Sequence, residues 1–250
     1  MKPQERVREV YQKYQENDED YLKDIEFLSE RLSTNFKVDC SPTFFAGKLE
    51  SPIALVGLNP KLGSNHDKEE RLKQDFEDYW KFQQNFFKIF PEKIGSAKYY
   101  ATIENLIRGI QGKDFKESCS YKKAMKNFHG ELINADILPF HSPNTESHMD
   151  DEIRERMSKY AKVTESVLKA RKRKLLIIKG KKPFLYYKDR IGDNNWNTRT
   201  VSGGNELEYK TTELLGMNAL VIKQDINEYQ GVSHRDRYEV GQKARQELDL

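Results

Sequence analysis

A carboxamide side chain follows directly on a short apolar segment of the sequence. Residues 53–56 form the apolar run, and Gly57, Leu58, Asn59 and Pro60 come next. Glycine permits a sharp exit from a strand, and proline fixes the turn that follows. The amide of Asn59 can donate and accept hydrogen bonds, and this setting aims it at a cleft. As a bare pattern the segment also fits a plain Asx turn, and it lacks the lysine spacing of a P-loop.

A second apolar run carries two polar side chains of its own. Asn134 and Asp136 lie within residues 132–138, which end at Pro139. The period-two alternation of a strand places both side chains on one face. Asn134 offers donors and an acceptor, which suits the hydrogen-bonding edge of a nucleobase, and Asp136 is a candidate proton acceptor. A hydrogen-bonded structural pair inside the core explains the same pattern.

Basic residues are concentrated in one part of a chain whose net charge is only +3. Residues 169–190 contain ten Lys and Arg side chains and one acidic residue, Asp189, whereas residues 16–30 are acidic overall. This distribution predicts that one region follows a phosphate backbone while another is kept away from it. For residues 171–174 alone, a solvated helix end is an equally good explanation, because cations are favourable at that pole of the helix dipole.

The composition limits the class of protein. With 250 residues, 36% of them hydrophobic and 33% charged, the chain suits one large α/β domain or one domain with a small appendage. No run of 18 apolar residues spans a membrane, and the first residues lead into a charged helix without a secretory core. Cys40 and Cys119 lie far apart, with neither a disulfide framework nor zinc-ligand spacing. We therefore expect a soluble, cytoplasmic monomer with no metal, no other cofactor and no membrane partner.

The apolar periodicity predicts alternating helices and strands. Four short apolar runs are typical of buried strands: 53–56, 132–138, 175–178 and 219–222. Residues 5–32 favour a helical hairpin or a kinked helix, because Asn17 and Asp18 stand between the two halves. Further helices are predicted over 68–90, 99–110, 150–173 and 235–248, while residues 206–215 are ambiguous.

Strands separated by helices imply crossover connections, and hence a mostly parallel sheet covered on both faces. We predict an α/β fold over residues 51–250: a three-layer α/β/α sandwich with a central, mostly parallel four-stranded sheet. Residues 1–50 are predicted to form an N-terminal helical extension. Ligands of such sheets bind beyond the carboxyl ends of the strands. Those ends indicate four segments: 57–65, 139–144, 179–183 and 223–234.

The strand ending in Gly-Leu-Asn-Pro resembles the first motif of the uracil-DNA glycosylase superfamily. The mismatch-specific and single-strand-selective branches of that family read Gly-Ile/Met-Asn-Pro here. The resemblance implies a monofunctional DNA glycosylase that hydrolyses the N-glycosidic bond of a flipped-out base and leaves an abasic site. It also implies that Asn59 positions or activates the attacking water, and that Gly57, Leu58 and Pro60 line the base pocket. Lys61 stands where those branches usually carry glycine, and we assign it to the DNA backbone.

The resemblance continues, in strand order, through residues 53–248. It implies that Asn134 reads the flipped base and that Asp136 serves as an alternative base for the water. At the end of this strand, Phe140 could stack on the base, and His141 could bond to a carbonyl or a phosphate. The third strand resembles one that ends in a Gly-Lys turn near the DNA. Contacts to the DNA backbone are assigned on this ground to Ser142, Lys179, Lys181, Lys182, Ser233 and Arg235.

The family's second diagnostic motif, typically His-Pro-Ser, has its counterpart before the last helix. Here Ser233 and His234 stand at the start of that helix, without the proline and about eleven residues beyond the fourth strand. The resemblance implies that His234 stabilises negative charge on the departing base, helped by the helix N-terminus.

The identity of the base and the activity itself stay open at this point. The stretches 111–131 and 183–210 are longer than a minimal family member requires, so the pocket could accept a bulky base, such as glucosylated cytosine in phage DNA, as part of antiviral defence. Plain loop insertion explains the same lengths. Two other functions fit the sequence: a nucleic-acid-binding module that has lost catalysis, and a hydrolase of small molecules or nucleotides.

Overall fold

The computed structural model describes residues 1–61, 66–95, 97–118, 120–142, 149–226 and 231–250. The helices in these ranges are α1 (Pro3–Gln15), α2 (Glu19–Arg31), α3 (His66–Glu70), α4 (Phe76–Gln84), α5 (Phe86–Lys93), α6 (Lys98–Gln111), α7 (Tyr121–Asn127), α8 (Asp151–Leu168), α9 (Lys181–Ile191) and α10 (His234–Glu247). The strands are β1 (Phe45–Ala46), β2 (Ile53–Gly57), β3 (Leu132–Asp136), β4 (Leu175–Lys179), β5 (Asn197–Thr200), β6 (Glu206–Leu214) and β7 (Met217–Ile222). No helix in the described ranges combines the length and the apolar character needed to cross a bilayer.

One seven-stranded sheet lies at the centre of the fold, in the order β1-β3-β2-β4-β7-β6-β5. The neighbours β3, β2, β4 and β7 run parallel to one another. Strand β1 pairs antiparallel with β3 at one edge, and β6 and β5 extend the other edge in antiparallel fashion. The predicted α/β class is confirmed, and the four predicted strands are the four parallel ones. The predicted total of four strands was wrong.

The three additional strands lack the apolar runs on which the prediction depended. Strand β1 has two residues, which is too short to show any periodicity. Strands β5 and β6 are polar and largely solvent-facing, so their sequences resemble loops. Part of the stretch 183–210, which the sequence suggested as an insertion, is helix α9 together with β5.

The parallel strands are buried on both faces, and this explains their continuous apolar sequences. Along β2, Ala54 and Val56 belong to a hydrophobic cluster that also contains side chains of α1, α2, α8 and α9. Ile53 and Leu55 belong to the cluster on the other face, which includes side chains of α5, α6, α7 and α10. Helices therefore cover the sheet on both sides.

The predicted helix over residues 68–90 is divided into three helices. Asp75 accepts a hydrogen bond from the backbone N–H of Asp78 and so caps α4, which separates it from α3. Asn85 lies between α4 and α5 with a non-helical backbone conformation. The aromatic spacing predicted helix over this range correctly, but it does not reveal the breaks, because Asp and Asn also occur within helices.

The first 50 residues pack against the main sheet. The predicted break between α1 and α2 is confirmed: Asn17 adopts φ 50° and Asp18 caps α2. Val7 and Leu28 are fully buried in the cluster on one face of the sheet, and β1 pairs with β3. This segment thus contributes a strand and core side chains to the sheet, while the division of the chain at residue 50 stays a prediction.

A buried arginine fixes the end of α8 to the entrance of β2. Arg173 is almost fully buried, and its guanidinium group donates to the backbone carbonyls of Val167, Leu168, Leu49 and Ser51 at 2.6–3.0 Å. The first two of these are carbonyls at the helix C-terminus, which lack partners within the helix. Arg173 therefore has a structural role and is not part of an exposed basic run.

We expect Arg173→Met to lower the free energy of unfolding by roughly 3–5 kcal/mol, because four buried carbonyl groups lose a charged donor. Urea unfolding followed by circular dichroism measures this change. Arg171→Met removes an exposed basic residue from the same run and is the matched control. Equal stability of the two variants would contradict the structural role of Arg173.

Candidate active site

The carboxyl ends of β2 and β3 meet through a glycine and a carboxylate. Gly57 and Asp136 are register partners on the two neighbouring strands. A Cβ atom placed on Gly57 would lie 2.4 Å from Oδ1 of Asp136, so the carboxyl group leans over the glycine backbone. Only glycine at position 57 leaves room for this approach, which gives a physical reason for the first residue of the Gly-Leu-Asn-Pro segment.

Asp136 is a buried carboxyl group with an unusual protonation equilibrium. It is 4% exposed, and burial raises its pKa from 3.8 to about 7. A hydrogen bond from Nδ2 of Asn134, at 3.0 Å, acts in the opposite direction because it stabilises the charged form. Near neutral pH the group therefore exchanges readily between acid and carboxylate, as a proton-transfer catalyst requires.

Asn134 presents a buried acceptor atom beside Asp136. Its side chain is 7% exposed, and the strand alternation that the sequence predicted places both residues on the same sheet face. While Nδ2 donates to Asp136, Oδ1 is buried without a hydrogen-bond partner. Buried polar atoms of native proteins are normally satisfied, so this oxygen is suited to accept a hydrogen bond from a ligand.

The loop after β2 holds the amide of Asn59 in one orientation. Its Nδ2 atom donates to the carbonyls of Pro60 and Phe140 at 3.1 and 3.2 Å and to Oγ of Ser142 at 2.9 Å. Carbonyl oxygens only accept, so the NH₂ group must face them, and the amide cannot be flipped. Oδ1 accepts no hydrogen bond from the described residues, and Asn59 is half-buried. The amide oxygen is thus available to orient a water molecule.

The end of β4 contributes a buried lysine. The side chain of Lys179 is 9% exposed, and its Nζ atom lies 3.6 Å from Oδ1 of Asp225. The same atom lies 4.9 Å from the centre of the Tyr99 ring, at the start of α6. Burial lowers the pKa of Lys179, although Asp225 acts in the opposite direction.

Tyr99 connects these groups around the rim of the sheet. Burial raises the pKa of Tyr99, and the charges of Asp136 and Asp225 raise it further. The residue keeps 37% of its surface exposed. Tyr99 is therefore an aromatic side chain that is partly open to solvent and lies beside Lys179.

The start of α10 completes the rim. His234 is the first residue of this helix, and its Nδ1 atom lies 3.3 Å from Nη1 of Arg237. An arginine only donates, so Nδ1 accepts, and the ring proton of neutral His234 is on Nε2. Arg237 is buried, and its charge adds to the effect of burial in lowering the pKa of Lys179.

Ser233 has a role in capping rather than in binding DNA. Its hydroxyl group caps α10 by accepting from the N–H of Asp236, and Oδ2 of Asp236 accepts from Ser233 and from Ser202. Burial alone would raise the pKa of Asp236, but these hydrogen bonds outweigh it and lower the pKa to about 2. The predicted contact of Ser233 with a DNA phosphate does not fit, because its hydroxyl is already engaged.

Three residues that follow β3, Phe140, His141 and Ser142, are also placed differently from the prediction. The ring of Phe140 is buried against Tyr21, Phe36 and Tyr160, so it does not offer a face to a base. His141 is buried beside Thr43, 3.1 Å from its hydroxyl, and burial lowers its pKa to about 3.

The third of these residues is Ser142. It is 2% exposed, and its hydroxyl accepts from Asn59. Apolar periodicity cannot distinguish a core aromatic from a stacking one, and this explains why the sequence misplaced Phe140. Base stacking by Phe140, base or phosphate contact by His141 and phosphate contact by Ser142 therefore do not fit these buried positions.

The remaining predicted binding residues differ in exposure. Lys61 and Lys181 are exposed, Lys182 and Pro60 are half-buried, and Leu58 is part of the core. Arg235 is exposed, but it forms an ion pair with Glu239 at 3.0 Å and lies over the ring of Phe115. Lys179 is buried, so its predicted contact with the DNA backbone does not fit, whereas Lys181 can make one.

Sequence reasoning missed Tyr99, Asp225 and Arg237. Asp225 lies within residues 223–234, which the strand-end rule had indicated, and a search for carboxylates there would have found it. Tyr99 and Arg237 belong to helices whose approach to the rim depends on tertiary packing. In particular, α6 and α10 cross with Gly109 and Gly241 in close contact, which the sequence does not predict.

Searches with protein-family models find no match to this sequence, and no curated protein is significantly similar to it. Among the described side chains, no group of three or more His, Cys, Asp or Glu is arranged to hold a metal ion. The chemistry of the site is therefore inferred from its own geometry.

The raised pKa of Asp136 predicts a pH-dependent stability. The unfolded chain ionises this group near pH 4 and the folded protein near pH 7, so the wild type loses about 1.4 kcal/mol per pH unit between these values. Asp136→Asn removes this titration, and we expect its stability relative to wild type to rise by about 2–3 kcal/mol from pH 5 to pH 7.

Urea unfolding at both pH values tests this expectation, with the exposed Asp114→Asn as control. If the free energies of unfolding of the wild type and Asp136→Asn differ by the same amount at pH 5 and pH 7, the pKa of Asp136 is not raised.

Proposed function

We propose that this protein is a DNA glycosylase of the uracil-DNA glycosylase type, which hydrolyses the N-glycosidic bond of an extruded base. The observation that carries the proposal is the position of Asp136, a buried carboxyl group whose pKa is raised to about 7, beside the end of β2. The loop after β2 holds the Asn59 amide with its oxygen unbonded by the described residues. Both follow parallel strands at the edge where such sheets bind ligands. The sequence motif around Asn59 adds the resemblance to this enzyme family.

Asn59 and Asp136 have complementary tasks in this mechanism. An amide does not take up a proton at neutral pH, so Asn59 can only orient a water through Oδ1. The ionised form of Asp136 accepts the proton as that water attacks C1′ of the deoxyribose. Positive charge develops on the sugar in this transition state, and the nearby carboxylate stabilises it.

The leaving base is held and stabilised by other groups of the rim. The buried Oδ1 of Asn134 accepts a hydrogen bond from an N–H group on the base edge. The exposed ring of Tyr99 takes the stacking role first predicted for Phe140. His234, the first residue of α10, is the residue to which the resemblance assigns stabilisation of negative charge on the departing base, helped by the helix N-terminus.

Base release tests the catalytic assignment. We expect Asp136→Asn to reduce the release of uracil or of a modified base by about 10²–10⁴-fold, because the water loses its proton acceptor. In the wild type, kcat/KM should rise with pH and level off above about 7, where Asp136 is ionised, and the variant should lose this dependence.

The substrates are oligonucleotides with uracil and genomic DNAs with different modified bases, including glucosylated cytosine. Mass spectrometry detects the free base. Asn59→Ala should also lose base release while it retains DNA binding, measured by fluorescence anisotropy. Full activity of either variant would refute the assignment, and DNA binding without release of any base would favour a non-catalytic module.

The salt dependence of DNA binding tests where the phosphate backbone of the DNA contacts the protein. We expect Lys181→Gln to reduce the slope of log K against log salt by about 1, because one phosphate contact is lost. Lys181 is exposed at the start of α9, directly after the end of β4.

Lys113→Gln is the control, because this exposed lysine follows the far end of α6, about 20 Å along the helix from Tyr99. Equal slopes for the two variants would place the DNA elsewhere, and salt-insensitive binding would favour a small-molecule hydrolase.

A further inference from the structure

Lys179 lies on the same sheet face and at the same level as Asp136. Ile177 and Leu132 belong to one hydrophobic cluster, and the side chains two and four residues further along their strands face the same way. Strand β2 separates β3 from β4, so the two Cα atoms are roughly 10 Å apart. The residue between them is Gly57, which has no side chain to fill the gap. The Asp136 carboxyl group and the Lys179 amine therefore belong to residues on either side of one glycine, over which the carboxyl group leans.

The surroundings of Lys179 are those of a reactive amine rather than of a phosphate contact. Its side chain is only 9% exposed, and its Nζ atom lies 4.9 Å from the centre of the Tyr99 ring. Burial lowers its pKa, and the charge of Arg237 acts in the same direction. A neighbouring cation and a low-polarity environment both favour the neutral amine. Among the described residues, Asp225 forms an ion pair with it: Oδ1 lies 3.6 Å from Nζ, the Asp225 side chain is 54% exposed, and its carboxylate can accept the proton of the amine.

We propose that Lys179 attacks C1′ of the abasic deoxyribose left by base removal, forms a Schiff base with it and cleaves the DNA strand by β-elimination. The inference rests on the proposed glycosylase function, and it adds a lyase activity to the same site. The substrate class is DNA that contains an abasic site in its ring-opened aldehyde form.

The steps balance without a cofactor. Asp225 accepts a proton from the Lys179 ammonium group, and the neutral Nζ attacks the C1′ aldehyde carbon. The carbinolamine loses its hydroxyl group as water, protonated by Asp225, and a C1′=N iminium ion remains. The regenerated Asp225 carboxylate removes a proton from C2′, and the C3′–O bond breaks with its electron pair on the phosphate oxygen. Water then hydrolyses the iminium ion to an unsaturated aldehyde and free Lys179.

Borohydride trapping on preformed abasic DNA tests this proposal directly. The probe is a duplex in which the abasic site has been made beforehand, so base excision by this protein is not required. Sodium borohydride reduces the imine to a stable amine, which links the protein to the DNA. We expect a covalent adduct with the wild type, mapped to Lys179 by peptide mass spectrometry, together with a nicked strand.

Two variants of Lys179 distinguish imine formation by its amine from a purely structural role of its charge. Lys179→Arg keeps the cation opposite Asp225 but cannot form an imine, and Lys179→Met removes the charge; each should lose the adduct and the nick by at least about tenfold. Lys174→Met, the matched control, removes an exposed lysine at the opposite end of β4 from Lys179 and should retain both. Circular dichroism verifies that Lys179→Arg is folded.

The possible outcomes distinguish this inference from the proposed function. In one outcome, the wild type releases a base and yet gives no more borohydride-trapped adduct on abasic DNA than Lys179→Arg does. That result would overturn the lyase and leave the glycosylase intact. An adduct mapped to Lys181, Lys182 or another lysine would also overturn it. Trapping at Lys179 without release of any tested base would support the lyase and refute the glycosylase.

Discussion

The contact between the Asp136 carboxyl group and the Gly57 backbone is the constraint on which the site depends. Backbone hydrogen bonding fixes the end of β3: the N–H of Asp136 donates to Phe44, and its carbonyl accepts from the hydroxyl of Thr164 on α8. The strand pleat then directs the carboxyl group over β2, where any side chain at position 57 would exclude it. Burial in that position, and not a neighbouring charge, raises the pKa into the neutral range.

Such a carboxyl group opposes folding at neutral pH, so the rest of the fold must offset its ionisation. The four parallel strands are buried on both faces, and the Arg173 guanidinium group binds four carbonyls at the opposite end of the sheet. Stabilising interactions and the titrating group thus lie at different ends of the same strands. This separation is expected when a residue is positioned for chemistry rather than for stability.

Sequence periodicity could predict the elements that bury apolar side chains, and hence the parts of the site that they carry. The apolar runs located β2, β3, β4 and β7, and period-two alternation placed Asn134 and Asp136 on one face. It could not predict β5 and β6, whose polar sequences are held by pairing to β7. Nor could it show that Phe140 belongs to an aromatic core cluster or that Tyr99 reaches the rim, because both depend on how distant elements pack.

The same arrangement of a carboxyl group over a glycine occurs at the ends of β2 and β4. Asp136 leans over Gly57, and Oδ1 of Asp225 would lie 2.8 Å from a Cβ atom on Gly180, so each carboxylate rests on a glycine of a neighbouring segment. Lys179 is placed between these two contacts. Glycines at the ends of β2 and β4 therefore serve two purposes: they end the strands, and they admit charged groups that a Cβ atom would displace. A row of carboxylate, amine and carboxylate results at the carboxyl ends of the strands, in the order that the proposed glycosylase and lyase steps require.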